Sequence, residues 1–188
     1  MLRKGTELST LCVNVIVTNM DKLRIAGIVD ESIVDGPSIR MTIFVQGCPH
    51  HCNGCHNAHT WDFDGGHEMS TDDIIAKALK NPLIKGITLS GGEPFCQARA
   101  LTEVARAVKE KGLNVFAYSG YTFEELLNGF DKHPEWRDLL EQCDYLVDGK
   151  FIQAEKSLAL RFRGSRNQRI LDVKKSLQSG IATLSEYN

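Results

Sequence analysis

Between residues 47 and 62 the chain reads GCPHHCNGCHNAHTWD, which sets Cys48, Cys52 and Cys55 in a C-x3-C-x2-C array. Three thiolates this close in sequence can share one inorganic centre only if the backbone loops tightly around it. Gly47 and Gly54 give such a loop conformational freedom, and Pro49 restricts part of it. A closed tetrahedral zinc site takes four protein ligands, and an electron-transfer cluster takes four thiolates. Three cysteines leave one metal position open, where chemistry can occur. A structural zinc site completed by His50, His51 or His56 stays open on spacing alone. The loop histidines, with His59 and His67, read as solvated or hydrogen-bonded residues, and Trp61 as a packing residue that closes the loop.

The elements that must position this loop follow from the apolar pattern. Residues 39–46 read as a buried strand running straight into the cysteines, after a turn at Asp35, Gly36 and Pro37. A helix opens at Ser70 or Thr71, helped by Asp72 and Asp73, and stops at Asn81-Pro82. Residues 86–90 form the next strand, ending in Gly91-Gly92-Glu93-Pro94. A helix over 97–111 follows, with Ala98, Leu101, Val104, Ala105 and Val108 on one face. Residues 113–118 are a strand that exits at Ser119-Gly120. Short helices over 122–127 and 134–141 and a strand over 145–147 lead to Asp148-Gly149-Lys150. Alternating strands and helices argue for an α/β fold with a parallel sheet, whose functional groups gather at the carboxyl ends of the strands. The cysteine loop, Gly91 to Pro94 and Ser119-Gly120 all fall there. Gly-Gly makes a simple turn before a proline-started helix, and it also lets a ligand approach the backbone.

Following its third cysteine with His56, Asn57, Thr60, Trp61 and Asp62, the array resembles the radical S-adenosylmethionine (SAM) superfamily. CHN-x-x-TWD is similar to its glycyl-radical-enzyme activating branch. GGEP and the later FRGSRNQR of residues 162–169 appear in order. From about Met20 to Val173 the chain resembles activators of anaerobic (class III) ribonucleoside-triphosphate reductase. The resemblance implies a single-domain, partial (open) βα barrel, since a full barrel takes about 250 residues. It implies a [4Fe-4S] cluster on Cys48, Cys52 and Cys55, with SAM on the fourth iron. Gly54, Cys55, His56, Gly91, Gly92, Glu93, Pro94 and Ser119 would meet SAM, and no catalytic residue is expected beyond cluster and SAM. The implied activity is that of a radical SAM oxidoreductase: SAM is cleaved reductively and a glycyl radical is made on the reductase. Flavodoxin or ferredoxin is the implied electron donor. An activator of pyruvate formate-lyase or another glycyl-radical enzyme is the nearer alternative, and a zinc-binding interaction module is the one from another class.

Two departures stand out. The branch usually shows DGPG before its first core strand, and Ser38 takes the last glycine's place, although serine adopts a positive φ only at a cost. Gly54 stands where the superfamily usually has an aromatic beside adenine.

The whole chain bounds the rest. It has 188 residues, 22 Lys and Arg against 24 Asp and Glu, and 42% hydrophobic residues, which suits one soluble domain and no nucleic-acid partner. The apolar run at 11–17 is too short to span a bilayer, and no membrane association is expected. A cytoplasmic protein with reduced thiols is expected, with Cys12, Cys96 and Cys143 scattered singly. Residues 1–19 read as a non-core extension before a start at Met20. The core then covers 20–188, with a basic segment at 150–175 holding eight Lys or Arg against two acids. That segment reads as a solvated edge, a grip on the SAM carboxylate or a dock for acidic groups of a partner.

Overall fold

The computed structural model describes residues 22–188. The proposed extension over 1–19, the start at Met20 and Cys12 lie outside the described residues. Strand β2 (Arg40–Val45) is buried on both faces: Met41, Ile43 and Val45 turn one way, Arg40 and Thr42 the other. Such a strand belongs inside a sheet, and β2 lies between β1 (Lys22–Ser32) and β4 (Gly86–Gly91). The remaining strands are β3 (His67–Ser70), β5 (Asn114–Tyr118), β6 (Tyr145–Asp148) and β7 (Arg169–Asp172), in the order β3-β1-β2-β4-β5-β6-β7. Strands β2, β4, β5 and β6 are parallel. Antiparallel pairing of β1, β3 and β7 flanks them. The architecture is therefore a mixed α/β sheet, and the expected parallel run is confined to its four central strands. The short 33–39 link explains the first reversal, because a parallel crossover needs a dozen or more residues.

Five helices lie among the described residues: α1 (Thr71–Lys80), α2 (Ala98–Lys109), α3 (Phe123–Gly129), α4 (Pro134–Gln142) and α5 (Val173–Ser179). Ser70 caps α1 by accepting from the Asp73 N–H, and Thr122 and Glu125 form a capping box on α3. Leu101, Val104, Ala105 and Val108 of α2 are fully buried, as their spacing predicts. Burying a leucine such as Leu101 contributes about 2 kcal/mol. Helix α2 packs between α1 and α4, and α4 meets α3 and α5. Their apolar faces share one core with Met41, Ile43, Ile87, Leu89 and Val115 of the sheet. The opposite sheet face carries Phe116, Val147 and Ile170 with partly buried Tyr118, Tyr145 and Phe162. Loops, not helices, cover that face, and the site is built there.

A buried arginine anchors the turn before β2. Arg40 Nε donates to Thr88 Oγ1 (2.8 Å), and its Nη1 donates to Asn114 Oδ1 (2.7 Å) and the Pro37 carbonyl (3.1 Å). Burial lowers its pKa to about 10. Within this turn Ser38 adopts φ +64°, the conformation that glycine holds more cheaply. Ser38→Gly is expected to stabilise the fold by about 0.5–1 kcal/mol in urea unfolding. Relief of left-handed strain (about 1–2) exceeds the freedom that glycine adds to the unfolded chain (about 0.4–1).

The outer edge of β7 is covered by the chain's last residues: the Asp172 N–H donates to the Thr183 carbonyl and the Ser185 N–H to that of Ile170. Among the described residues no helix is long and apolar enough to cross a membrane.

Candidate iron–sulfur site

Strand β2 delivers the chain to Gly47, where the backbone turns at φ +91° and is pinned at once. The Gly47 N–H donates to Thr60 (2.8 Å), the Cys48 N–H to Trp61 (3.1 Å), and the Glu93 N–H to the Gly47 carbonyl (2.8 Å). His51 and Gly54 also have positive φ, and His51 stacks on Trp61 with ring centroids 4.9 Å apart. A non-glycine residue persists in this conformation when its surroundings hold it. The loop is thus stitched by its own backbone.

A cleft of about 390 Å³ opens over the carboxyl ends of β2, β4, β5 and β6. Cys48, Cys52, Cys55 and His56 line it, as do Gly91, Gly92, Glu93 and Ser119. Eight of the ten residues singled out in the sequence therefore share one cavity. Pro94 is buried away from its wall, and Gly54 faces Gln153, whose side chain a Cβ at Gly54 would overlap. Close packing also explains Gly91 and Gly92. A Cβ at Gly91 would press on Phe44 and Val45 backbone, and one at Gly92 on the Gly47 carbonyl. The double glycine lets β4 and the cysteine loop touch.

Glu93 joins three loops. It is 1% exposed, and its carboxylate meets His50 Nε2 (2.8 Å), the Phe95 N–H (3.0 Å), Ser119 Oγ (3.0 Å) and the Gly120 N–H (2.8 Å). His50, between the first two cysteines, is equally enclosed: its side chain is 6% exposed and packs edge-on against Tyr121. A Cβ at Gly120 would overlap the His50 ring. The carboxylate expected to meet SAM thus already serves as a hub, and His50 is a member of it that the sequence left among five similar histidines.

The far wall comes from the segment after β6. Phe151, Phe162, Arg163 and Gln168 line the cleft. Gln168 Oε1 accepts from the Gly164 and Ser165 N–H groups, while its Nε2 donates to the Gly149 carbonyl (3.0 Å). Arg169 donates to buried Asp148 and to Glu124, and Arg163 to the Gln168 carbonyl (2.7 Å) and Asn188 Oδ1 (2.9 Å). Much of FRGSRNQR is therefore a folded wall. Only Arg163 among its arginines lines the cleft.

The donor set suits an iron–sulfur group. Cys48, Cys52 and Cys55 are free thiols on one cavity wall. Burial raises the Cys48 pKa, and the neighbouring backbone of His50 and His51 opposes that rise. The Asn57 N–H donates to Cys55 Sγ (3.4 Å). Among the described residues no three His, Cys, Asp or Glu side chains stand together as a single-ion site. Cys96 stands outside this cleft, in a hollow with Lys22, Gln97 and Glu135. Cys96→Ala is expected to leave the iron and acid-labile sulfide of the reconstituted protein unchanged. A fall in either would make Cys96 a ligand.

Comparison with known proteins gives this arrangement a class. Residues 34–171 match the family described as 4Fe-4S single cluster domain. Over 144 residues the chain is 39% identical to the anaerobic ribonucleoside-triphosphate reductase-activating protein of Vibrio cholerae, covering 72% of this chain and 89% of that protein. Proteins of the same name from Escherichia coli K12 and Enterobacteria phage T4 are each 34% identical over 145 residues, covering 90% and 86% of their lengths and 72% and 73% of this chain. The chain belongs to the anaerobic ribonucleoside-triphosphate reductase-activating protein family.

Proposed function

We propose that this protein is a radical SAM activase that makes a glycyl radical on an anaerobic ribonucleoside-triphosphate reductase. The observation that carries the reading is three cysteines on one wall of a cleft floored by parallel strand ends, with no fourth cysteine among the described residues that line it. Relatives named for activating that reductase favour it over pyruvate formate-lyase as the target. In fold terms we read the sheet as a partial barrel of the radical SAM type, with the domain core over 20–188. The loop-covered face would be its inside.

Cys48, Cys52 and Cys55 would hold a [4Fe-4S] cluster. When bound, the cluster and SAM supply one-electron cleavage of a sulfonium bond and a hydrogen-abstracting equivalent. The chain's own work is positional. The Asn57 backbone N–H steadies the Cys55 sulfur. Glu93 fixes the relative places of the cysteine loop, the GGEP turn and Ser119-Gly120. Gly91, Gly92 and Ser119 would line the SAM methionine end. His56, Phe151 and Arg163 would stand around the rest, and together these walls keep water from a reactive carbon centre. The basic 150–175 segment faces the reductase, and flavodoxin or ferredoxin is the proposed electron source in a cytoplasmic setting.

The test is anaerobic reconstitution with iron and sulfide, reduction, and addition of SAM. A reduced-cluster electron paramagnetic resonance signal that changes with SAM is expected, with release of methionine and deoxyadenosine. A glycyl signal should then appear on added reductase. A colourless, zinc-loaded protein that leaves SAM intact would end the reading.

A further inference from the structure

Among the described residues one buried side-chain polar atom has no hydrogen-bond partner: Nε1 of Trp61. A buried donor left unmatched costs about 1–3 kcal/mol, so in a native protein it calls for a reason. Trp61 stands on the wall of the cysteine cleft. Its carbonyl accepts from the Cys48 N–H, and its ring stacks on His51, whose left-handed backbone lies between Cys48 and Cys52. The indole is thereby held against the cysteine loop from two directions. A neighbour already supplies an N–H group to sulfur, from Asn57 to Cys55 (3.4 Å).

The indole N–H is covered by protein and meets no acceptor there, so the candidate acceptors are groups of the cysteine loop it is held against. Iron ligation provides one. A ligating cysteine becomes a thiolate, and its sulfur is then a far better acceptor than a neutral thiol. We propose that Trp61 donates its Nε1–H to a cysteine sulfur of the cluster and so raises the cluster's reduction potential. The inference rests on the cluster reading above and goes beyond it. The electron added on reduction increases negative charge on the sulfurs, and a fixed donor stabilises the reduced form more than the oxidised one. Trp61 is a tuning residue here, since it touches a ligand sulfur and no reacting carbon.

The experiment is redox titration of the reconstituted protein, with Trp61→Phe beside the unaltered chain. Phenylalanine keeps an aromatic ring on His51 and removes the N–H. At a fixed potential the ratio of reduced to oxidised cluster is expected to fall about tenfold, equivalent to 59 mV for one electron. Pulsed electron paramagnetic resonance in deuterium oxide should lose one exchangeable coupling to the reduced cluster. An unchanged or higher potential, or the same couplings in both proteins, overturns the proposal. Where Trp61→Phe does not assemble a cluster, benzothienylalanine at position 61 keeps the bicyclic shape without the N–H, and its potential decides. An unaltered protein that takes up no cluster would instead defeat the reading on which the inference stands.

Discussion

Glu93→Ala is expected to destabilise the protein by about 3–5 kcal/mol, read as a drop in the urea midpoint with little change in slope. The substitution strips the acceptor from four donors: His50 Nε2, Ser119 Oγ and the N–H groups of Phe95 and Gly120. Each lies in a site too enclosed for easy rescue by water, and an orphaned buried donor costs about 1–3 kcal/mol. The donors share one carboxylate, so their losses do not add fully. Glu93→Gln retains the shape and one acceptor oxygen and should fall between. A midpoint within about 0.5 kcal/mol of the unaltered protein would mean that Glu93 holds nothing together. Activity should fall further than stability. The two other loops come from residues 43 (His50) and 26–27 (Ser119, Gly120) positions away from Glu93, and this carboxylate joins both to its own turn. A displacement near 1 Å of bound groups costs about a hundredfold in rate.

The second large effect concerns the cysteines. Cys48→Ala, Cys52→Ala and Cys55→Ala should each leave the reconstituted protein almost without iron and sulfide, and activation of the reductase should drop to background. Folding is expected to respond differently. The loop is closed by bonds from Gly47 to Thr60, Cys48 to Trp61 and Glu93 to Gly47, none of which uses a thiol. Cys52 and Cys55 are only half-buried, so their alanine variants should unfold within about 1 kcal/mol of the unaltered apoprotein. A structural zinc staple behaves in the opposite way, since loss of its metal removes folding energy outright. Measuring metal content and unfolding on the same samples separates the two. Iron lost with a fold retained supports the cluster; loss of both together points to a staple.

How much of this was legible depends on the sequence distance over which each feature is decided. The cysteine array is local, and its consequence could be read from spacing and ligand count. So could α2, whose apolar face repeats over three turns, and the strand-to-loop exits at 91 and 119. Strands β3 and β7 are four residues each, too short for an alternation to show, and β7 is a strand only because β6 offers it an edge. The Glu93 hub was hidden for another reason. Nothing near His50 distinguishes it from His51, His56 or His59 until β5 brings Ser119 and Gly120 alongside. Gly54 carried a visible departure whose cause was remote: Gln153, on the loop after β6, occupies the space a side chain there would need. Ser38 shows the reverse case. Its strain could be foreseen from one residue, and the turn adopts the strained conformation anyway because Arg40 and the β-strands around it fix the backbone.

The covered edge of β7 bears on how such a chain avoids edge-to-edge pairing with other copies of itself. An open sheet has two borders, each able to recruit a strand from another copy. This protein treats them differently. The β3 border is four residues long and carries Glu68, engaged with Lys22, so it offers a brief and charged template. The β7 border is plugged by residues 183–185, which take the Asp172 N–H and the Ile170 carbonyl for themselves. That plug is the last part of the sheet to leave the ribosome. Until it docks, β7 presents a bare ladder beside a hydrophobic strand, and crowding of nascent chains at that moment is the route by which this fold would aggregate.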